Sequence, residues 1–340
     1  MLWYIFWKGF HMRLVGKHTP ASEKGFMLPA YQILSGSEGR VRESPGILNL
    51  RNVKIHRGAR ATLVIGRYRP LNGRKEDEIE LAVMPHGMGQ SSAEIYSREY
   101  IAYGKKLEFP GIPYPIMIQM RAGTAGGING KSHDRPDLHI GDLVVTESNV
   151  SGFSSVLSES NGIFHPIWQN NQSQKNAVEF LNYWKSLGGS HTNDGRYLLM
   201  DNSRLVMEET LKTAERLGYT AIAGNTLTKD SLYSEGYGHV MEDLYQRYGV
   251  RASSMEGTIL SYHAAKSWVE DKVKIFYGEV LNIIGALPGE GFPENRRQEK
   301  KANEGNTAAM IVAAETIASL HRTILKASRL HMEFARKKKP

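Results

Sequence analysis

At 340 residues, 41% hydrophobic and 23% charged, the chain is long enough for one large α/β domain or two smaller ones and has an ordinary globular composition. It contains no cysteine, which excludes disulfides, thiolate catalysis and cysteine-based zinc sites and fits a reducing, cytoplasmic setting. The formal net charge of +8 suits an anionic partner, but no aromatic–basic interleaving accompanies it. A small anionic substrate is therefore expected rather than nucleic acid.

The chain opens on an aromatic run (Trp3, Tyr4, Phe6, Trp7, Phe10) that is too short to span a bilayer and lacks a signal peptide's basic start and cleavage site. Residues 1–15 are expected to form a flexible arm, 16–332 a single domain, and 333–340 a solvated basic tail. Residues 31–41 read as a short strand entering a tight turn, with Gly36 permitting close approach and Arg40 able to point back to it. Strands are expected at 60–68 and 79–84; the second ends in His86-Gly87-Met88-Gly89-Gln90-Ser91-Ser92, after which a helix begins.

The apolar run 116–120 predicts a buried strand ending at Arg121, followed by a small-residue loop, Gly123-Thr124-Ala125-Gly126-Gly127. Backbone N–H groups can approach an anion where no Cβ intervenes, and an arginine at the mouth supplies a permanently charged, forked donor. A strand follows at 143–146, then a polar stretch, 151–193, with a helix at 175–187. Further on come a helix over 202–217, a strand at 219–224, a loop at 230–239, a helix starting at Ser254-Met255-Glu256-Gly257, a strand at 274–281 and a last helix over 307–335. No repeat divides the chain. The expectation is one α/β domain, a central mixed, twisted sheet flanked by helices, whose glycine-ended strands converge on one edge, where ligands of open α/β sheets gather. His86, His133, His139, His165 and His191 show no metal-ligand spacing and read as structural; no metal is expected in the site.

These motifs, in this order and over roughly residues 16–330, resemble the nucleoside phosphorylase family, its uridine phosphorylase branch most of all. Gly36-Ser37-Glu38-Gly39-Arg40-Val41 is similar to the family's phosphate turn. Arg121-Ala122-Gly123-Thr124-Ala125-Gly126, followed by Ile140-Gly141-Asp142, is similar to its Arg-x-Gly-Thr-x-Gly motif, and Met255-Glu256 to its ribose motif. Gly224-Asn225-Thr226 and Tyr233 match the strand and base-side loop of uridine phosphorylases.

The resemblance implies reversible phosphorolysis of a nucleoside, with inorganic phosphate as co-substrate and no cofactor; a metal ion at a subunit interface is left open. It implies phosphate binding by Gly36, Arg40, Arg121 and Thr124, with a further arginine from a neighbouring subunit, Arg57 (Arg60 its rival). Ribose would be held by His18, Thr124, Met255 and Glu256, and the base by Gly126, Tyr237 and His239. Arg121 and Glu256 would carry the catalysis. A homodimer sharing its sites across the interface is expected.

Two departures stand out, and one agreement with the pyrimidine branch. Gly236-Tyr237-Gly238-His239 replaces the usual glutamine–arginine uracil reader, and Ser254 stands where the ribose motif usually has its first glutamate. Asn282 occupies the place of the purine enzymes' general acid, which disfavours purine N7 protonation and favours a pyrimidine substrate. Two alternatives follow: a catalytically silent regulatory subunit, or a phosphorylase with shifted base specificity.

Overall fold

The computed structural model describes residues 19, 26–58, 60–130, 137–151, 182–191, 198–229, 244–287 and 292–337. Its frame is an eleven-stranded mixed sheet. Strands β1 (Tyr31–Ser35), β4 (Ile79–Pro85) and β5 (Ile116–Ile128) lie side by side and parallel, with β1 between the other two. Outside β4 run the antiparallel β3 (Thr62–Tyr68) and then β2 (Arg51–Arg57), an exposed edge strand.

Beyond β5 the sheet closes on itself. β5 pairs with β11 (Lys274–Leu287), β11 with β6 (Leu143–Ser151), β6 with β9 (Ala221–Thr228), β9 with β10 (Val250–Ser254), and β10 returns to β5. This ring encloses a small core of Ala125, Val144, Ala252, Leu281, Ile283 and Ala286. Two short strands, β7 (Gly189–His191) and β8 (Leu198–Asp201), extend from β6.

Closure explains the main difference from the sequence reading. The Gly123–Gly127 stretch is not a loop but the continuation of β5, because β11 pairs along one side of it through Ile128 and β10 along the other at Gly126 and Gly127. Its glycines meet a packing need: a Cβ on Gly127 would come within 2.9 Å of the Ile283 side chain and 3.0 Å of Ala286. The extended backbone is thus stabilised by ladder hydrogen bonds on both edges, which outweighs the weak strand propensity of glycine.

Among the described residues the longer helices that cover the sheet are α1 (Glu38–Ile47), α2 (Gln90–Tyr103), α3 (Arg204–Arg216), α4 (Gly257–Asp271) and α5 (Arg296–Lys337). Helix α1 begins where a turn was expected, capped by Ser37, whose hydroxyl accepts from the backbone N–H of Arg40. Helix α5 starts earlier than expected and takes in residues 333–337 of the supposed tail. It lays an alanine-rich face (Ala308, Ala309, Ala313, Ala314, Ala318) on β1, β5 and β11, with Val312 and Ile317 fully buried. By length and composition alone it could cross a membrane, but two-thirds of its apolar window is buried in the fold, as expected of a core helix. The other face of the parallel strands packs Leu34, Met84 and Met117 against α2 and α4 through Ala93, Tyr100, Ile259 and Leu260.

Candidate active site

The parallel strands β1 and β4 end level with each other, Ser35 opposite Pro85, and β1 ends opposite Ala122 of β5. At this edge the chain turns through Gly36 into α1 and through His86–Gly89 into α2. Gly87 and Gly89 have φ of +73° and +81°, left-handed backbone that glycine adopts at little cost. β10 delivers Ser254, Met255 and Glu256 to the same place at the start of α4.

Arg121 is the centre of the cluster. It is fully buried, and each part of its guanidinium has a partner. Nε donates to His86 Nε2 at 3.3 Å; Nη1 donates to Glu279 Oε2 at 2.9 Å and Ser254 Oγ at 3.2 Å; Nη2 donates to Glu256 Oε2. Of the five guanidinium N–H groups, one on Nη2 is left over. Burial opposes the charge of Arg121, but Glu256 and Glu279 overcome it and hold its pKa above the ordinary value.

Glu256 is held by Arg121, by the backbone N–H of Gly89 at 2.9 Å and by that of Met255 at 3.3 Å. Burial pushes its pKa up, yet Arg121 and the two backbone donors leave it below the usual carboxylate range, so it stays ionised. Beside it, His86 is driven down to about 3 by burial and by Arg121, and is neutral near pH 7. With Nε2 accepting from Arg121, the proton belongs on Nδ1.

Arg40 faces this cluster from the first turn of α1. Its Nε donates to Ser37 Oγ at 3.3 Å, and a Cβ on Gly36 would lie 3.4 Å from its Nη2 and 3.7 Å from His86 Cε1. Burial, then repulsion from Arg121, lowers the pKa of Arg40 while Glu256 and Glu43 partly restore it. Among the described residues no carboxylate forms a salt bridge with Arg40. It is the cation left to receive an anion, over a floor where Gly36 presents no side chain.

The structure therefore brings Gly36, Arg40, Arg121, Met255 and Glu256 together. Thr124 is placed differently. Alternation along the uninterrupted β5 sets it opposite Asn282 in the β11 register, on the face turned toward α5 and away from Arg121. Gly126 shares that face, with the Ser253 hydroxyl 3.2 Å from where its Cβ would be. Arg57 and Arg60 are exposed, Arg57 at the end of edge strand β2, and neither reaches the cluster within the chain. His18, Tyr237, His239 and Tyr233 lie outside the described residues.

Asn282 departs from its expected place. Its amide donates to the Ala302 carbonyl at 2.8 Å and to Asn306 at 3.1 Å, which ties it to α5 on the far side of β11 from Glu279. Two residues were not expected. His86, read as structural, accepts from Arg121 and is near enough to Arg40 to feel its charge; its position inside the glycine turn was the signal. Glu279 had no sequence signal at all, since it reaches Arg121 only through the register of β11 on β5. Among the described residues no group of His, Asp and Glu could hold a metal ion.

A family model for the phosphorylase superfamily matches residues 31–267. No curated protein matches by sequence. Among solved structures, uridine phosphorylase from Vibrio fischeri complexed with 6-hydroxy-1-naphthoic acid is similar, with TM-score 0.59 and 15% identity over 91% of this chain and 99% of that chain. Purine nucleoside phosphorylase from Toxoplasma gondii in complex with immucillin-H gives TM-score 0.58 and 17% identity over 91% of this chain and 97% of that one. A Trypanosoma brucei nucleoside phosphorylase described as showing uridine phosphorylase activity gives 0.56 and 14%, over 86% and 94%. At these identities the likeness is one of fold, while the family match spans most of the chain. The chain belongs to the phosphorylase superfamily, as a member of the nucleoside phosphorylase family.

Proposed function

We propose that the chain catalyses the reversible phosphorolysis of a pyrimidine nucleoside, uridine foremost, to free base and ribose 1-phosphate. The observation that carries this reading is the meeting of Arg40, Arg121, Gly36 and ionised Glu256 at the carboxyl ends of β1 and β4. Phosphate would lie between Arg40 and the unused N–H of Arg121, above Gly36, where forked donors match its oxygens.

Glu256, fixed by backbone N–H groups, would accept hydrogen bonds from the ribose hydroxyls with Met255 against the sugar. A phosphate oxygen attacks the anomeric carbon as the glycosidic C–N bond breaks. The electron pair of that bond leaves with the base, whose carbonyl oxygens share the charge. The sugar passes through an oxocarbenium-like state between the phosphate dianion and the departing base, so positioned charges do most of the catalysis. Both carboxylates of the described cluster are held by Arg121, and Asn282 is tied to α5. Among the described residues no free acid stands ready for purine N7, which supports the pyrimidine reading.

We further propose a homodimer in which Arg57, on the exposed edge, completes the neighbouring subunit's phosphate site. The test is base release from uridine, thymidine, deoxyuridine, inosine and adenosine, each with and without phosphate. Phosphate-dependent turnover that is fastest with uridine supports the reading. Turnover only with the purines overturns the base assignment, and none with any nucleoside overturns catalysis in favour of a silent subunit.

A further inference from the structure

The missing glutamate at position 254 and the unexpected one at position 279 meet on the same atom. Ser254 Oγ and Glu279 Oε2 are both bonded to Arg121 Nη1, at 3.2 and 2.9 Å. Ser254 reaches it from the end of β10, and Glu279 from β11, directly across from Arg121 in the parallel β5–β11 register. A carboxylate at either position would serve the same N–H groups. Ser254 is uncharged, so the negative charge that the resemblance places there is supplied here from another strand.

The surroundings of Glu279 fit a permanent anchor. Its side chain is completely enclosed, and its second oxygen accepts from Asn149 Nδ2 at 2.7 Å and from the Tyr277 hydroxyl at 3.0 Å. Asn149 in turn donates to Ser261 Oγ at 2.8 Å, and Ser261 donates to Asn202 at 2.9 Å. A carboxylate satisfied in this way cannot also bind substrate. Whatever it contributes goes through Arg121.

We infer that Glu279 is a positioning residue that takes over the task of the absent glutamate at position 254. It holds the Arg121 guanidinium from behind and so frees Glu256, the other carboxylate on Arg121, to turn to the sugar. With this charge supplied from β11, Ser254 no longer argues for a silent protein. The inference rests on the phosphorolysis reading for its catalytic part, while the relocation of charge can be tested without turnover.

The test compares the full chain with Glu279→Gln, Ser254→Glu and the double variant Ser254→Glu/Glu279→Gln. In Glu279→Gln, kcat at saturating uridine and phosphate should fall about tenfold or more, the worth of one oriented charged hydrogen bond. Binding of inorganic phosphate, measured by calorimetry, should stay equal or tighten, because a negative charge has gone. A merely structural role would lower both together. The double variant should regain kcat to within about threefold of the parent and recover the urea unfolding midpoint. Unchanged kcat in a folded Glu279→Gln overturns the inference, and so does a double variant no better than the single in both midpoint and rate. If Glu279→Gln does not fold, the double variant decides by folding or failing to fold. A parent chain that neither binds phosphate nor turns over, yet shows recovery of the midpoint in the double variant, overturns the phosphorolysis reading and leaves the relocation standing.

Discussion

Replacing Arg121 by methionine is the sharpest perturbation of this structure. The side chain is 1% exposed and neutralises two carboxylates, Glu256 and Glu279, whose side chains are 8% and 0% exposed. Methionine fills most of the volume but leaves two buried negative charges facing each other without their cation. Removing one partner of a buried ion pair costs about 3–5 kcal/mol, a large share of the roughly 5–15 kcal/mol that holds a domain together.

The pH dependence gives the cause away. In the parent, Arg121 and the backbone donors depress the pKa of Glu256, so its contribution is present above the unfolded value and is lost as pH falls through the folded one. Without Arg121, the burial that raises the Glu256 pKa is far less opposed. A folded pKa above the unfolded value means stability present at low pH and lost as pH rises. The deficit of Arg121→Met should therefore shrink from pH 7 to pH 5, by up to about 1.4 kcal/mol per pH unit for each proton taken up. Urea unfolding at pH 5, 6 and 7 measures it. The triple variant Arg121→Met/Glu256→Gln/Glu279→Gln should regain most of the loss at pH 7, since it leaves no unpaired charge. A deficit below about 1 kcal/mol at pH 7, or one that does not change with pH, would refute the reasoning.

Three further outcomes follow from the same cluster. Gly36→Ala places a methyl at ordinary contact distance from Arg40 and His86, so stability should change by less than about 1 kcal/mol while KM for phosphate rises about tenfold as the anion's floor fills; an unchanged KM in initial-rate kinetics would contradict the placement of phosphate. His86 binds its proton near pH 3 when folded but near its ordinary value when unfolded, so it removes stability as pH falls from about 6.5, at about 1.4 kcal/mol per unit. His86→Gln should lose that slope in urea titrations between pH 6.5 and 4.5, and curves parallel to the parent's would refute it. Arg57→Ala should raise KM for phosphate about tenfold without moving the unfolding midpoint, whereas Arg60→Ala should change neither KM nor midpoint; the reverse pattern would exchange their roles.

Much of this site was legible in the chain itself. A glycine directly after an apolar run, with an arginine a few residues on, is a local signature that located Gly36 and Arg40, and an arginine closing an apolar run ahead of small residues located Arg121. The Met255-Glu256 pair came from the resemblance to the ribose motif and not from a local pattern, and its carboxylate does meet Arg121 across 135 residues of sequence. Residues 123–127 misled because small side chains suit a flexible loop and a crowded strand equally well. Only the strands on either side decide between them, and that decision also turned Thr124 to the opposite face from Arg121.

The sequence by itself determined most of the strands and helices and the glycine-ended edge, because hydrophobic period and turn chemistry are properties of neighbouring residues. The tertiary structure alone decided which buried charges meet. Glu279 lies 158 residues from Arg121, Asn282 three positions further on faces α5, and His86 accepts from Arg121. Each follows from strand register and from closure of the sheet into a ring. A shift of one residue in β11 would turn Glu279 away from Arg121 and leave that cation with half its counter-charge.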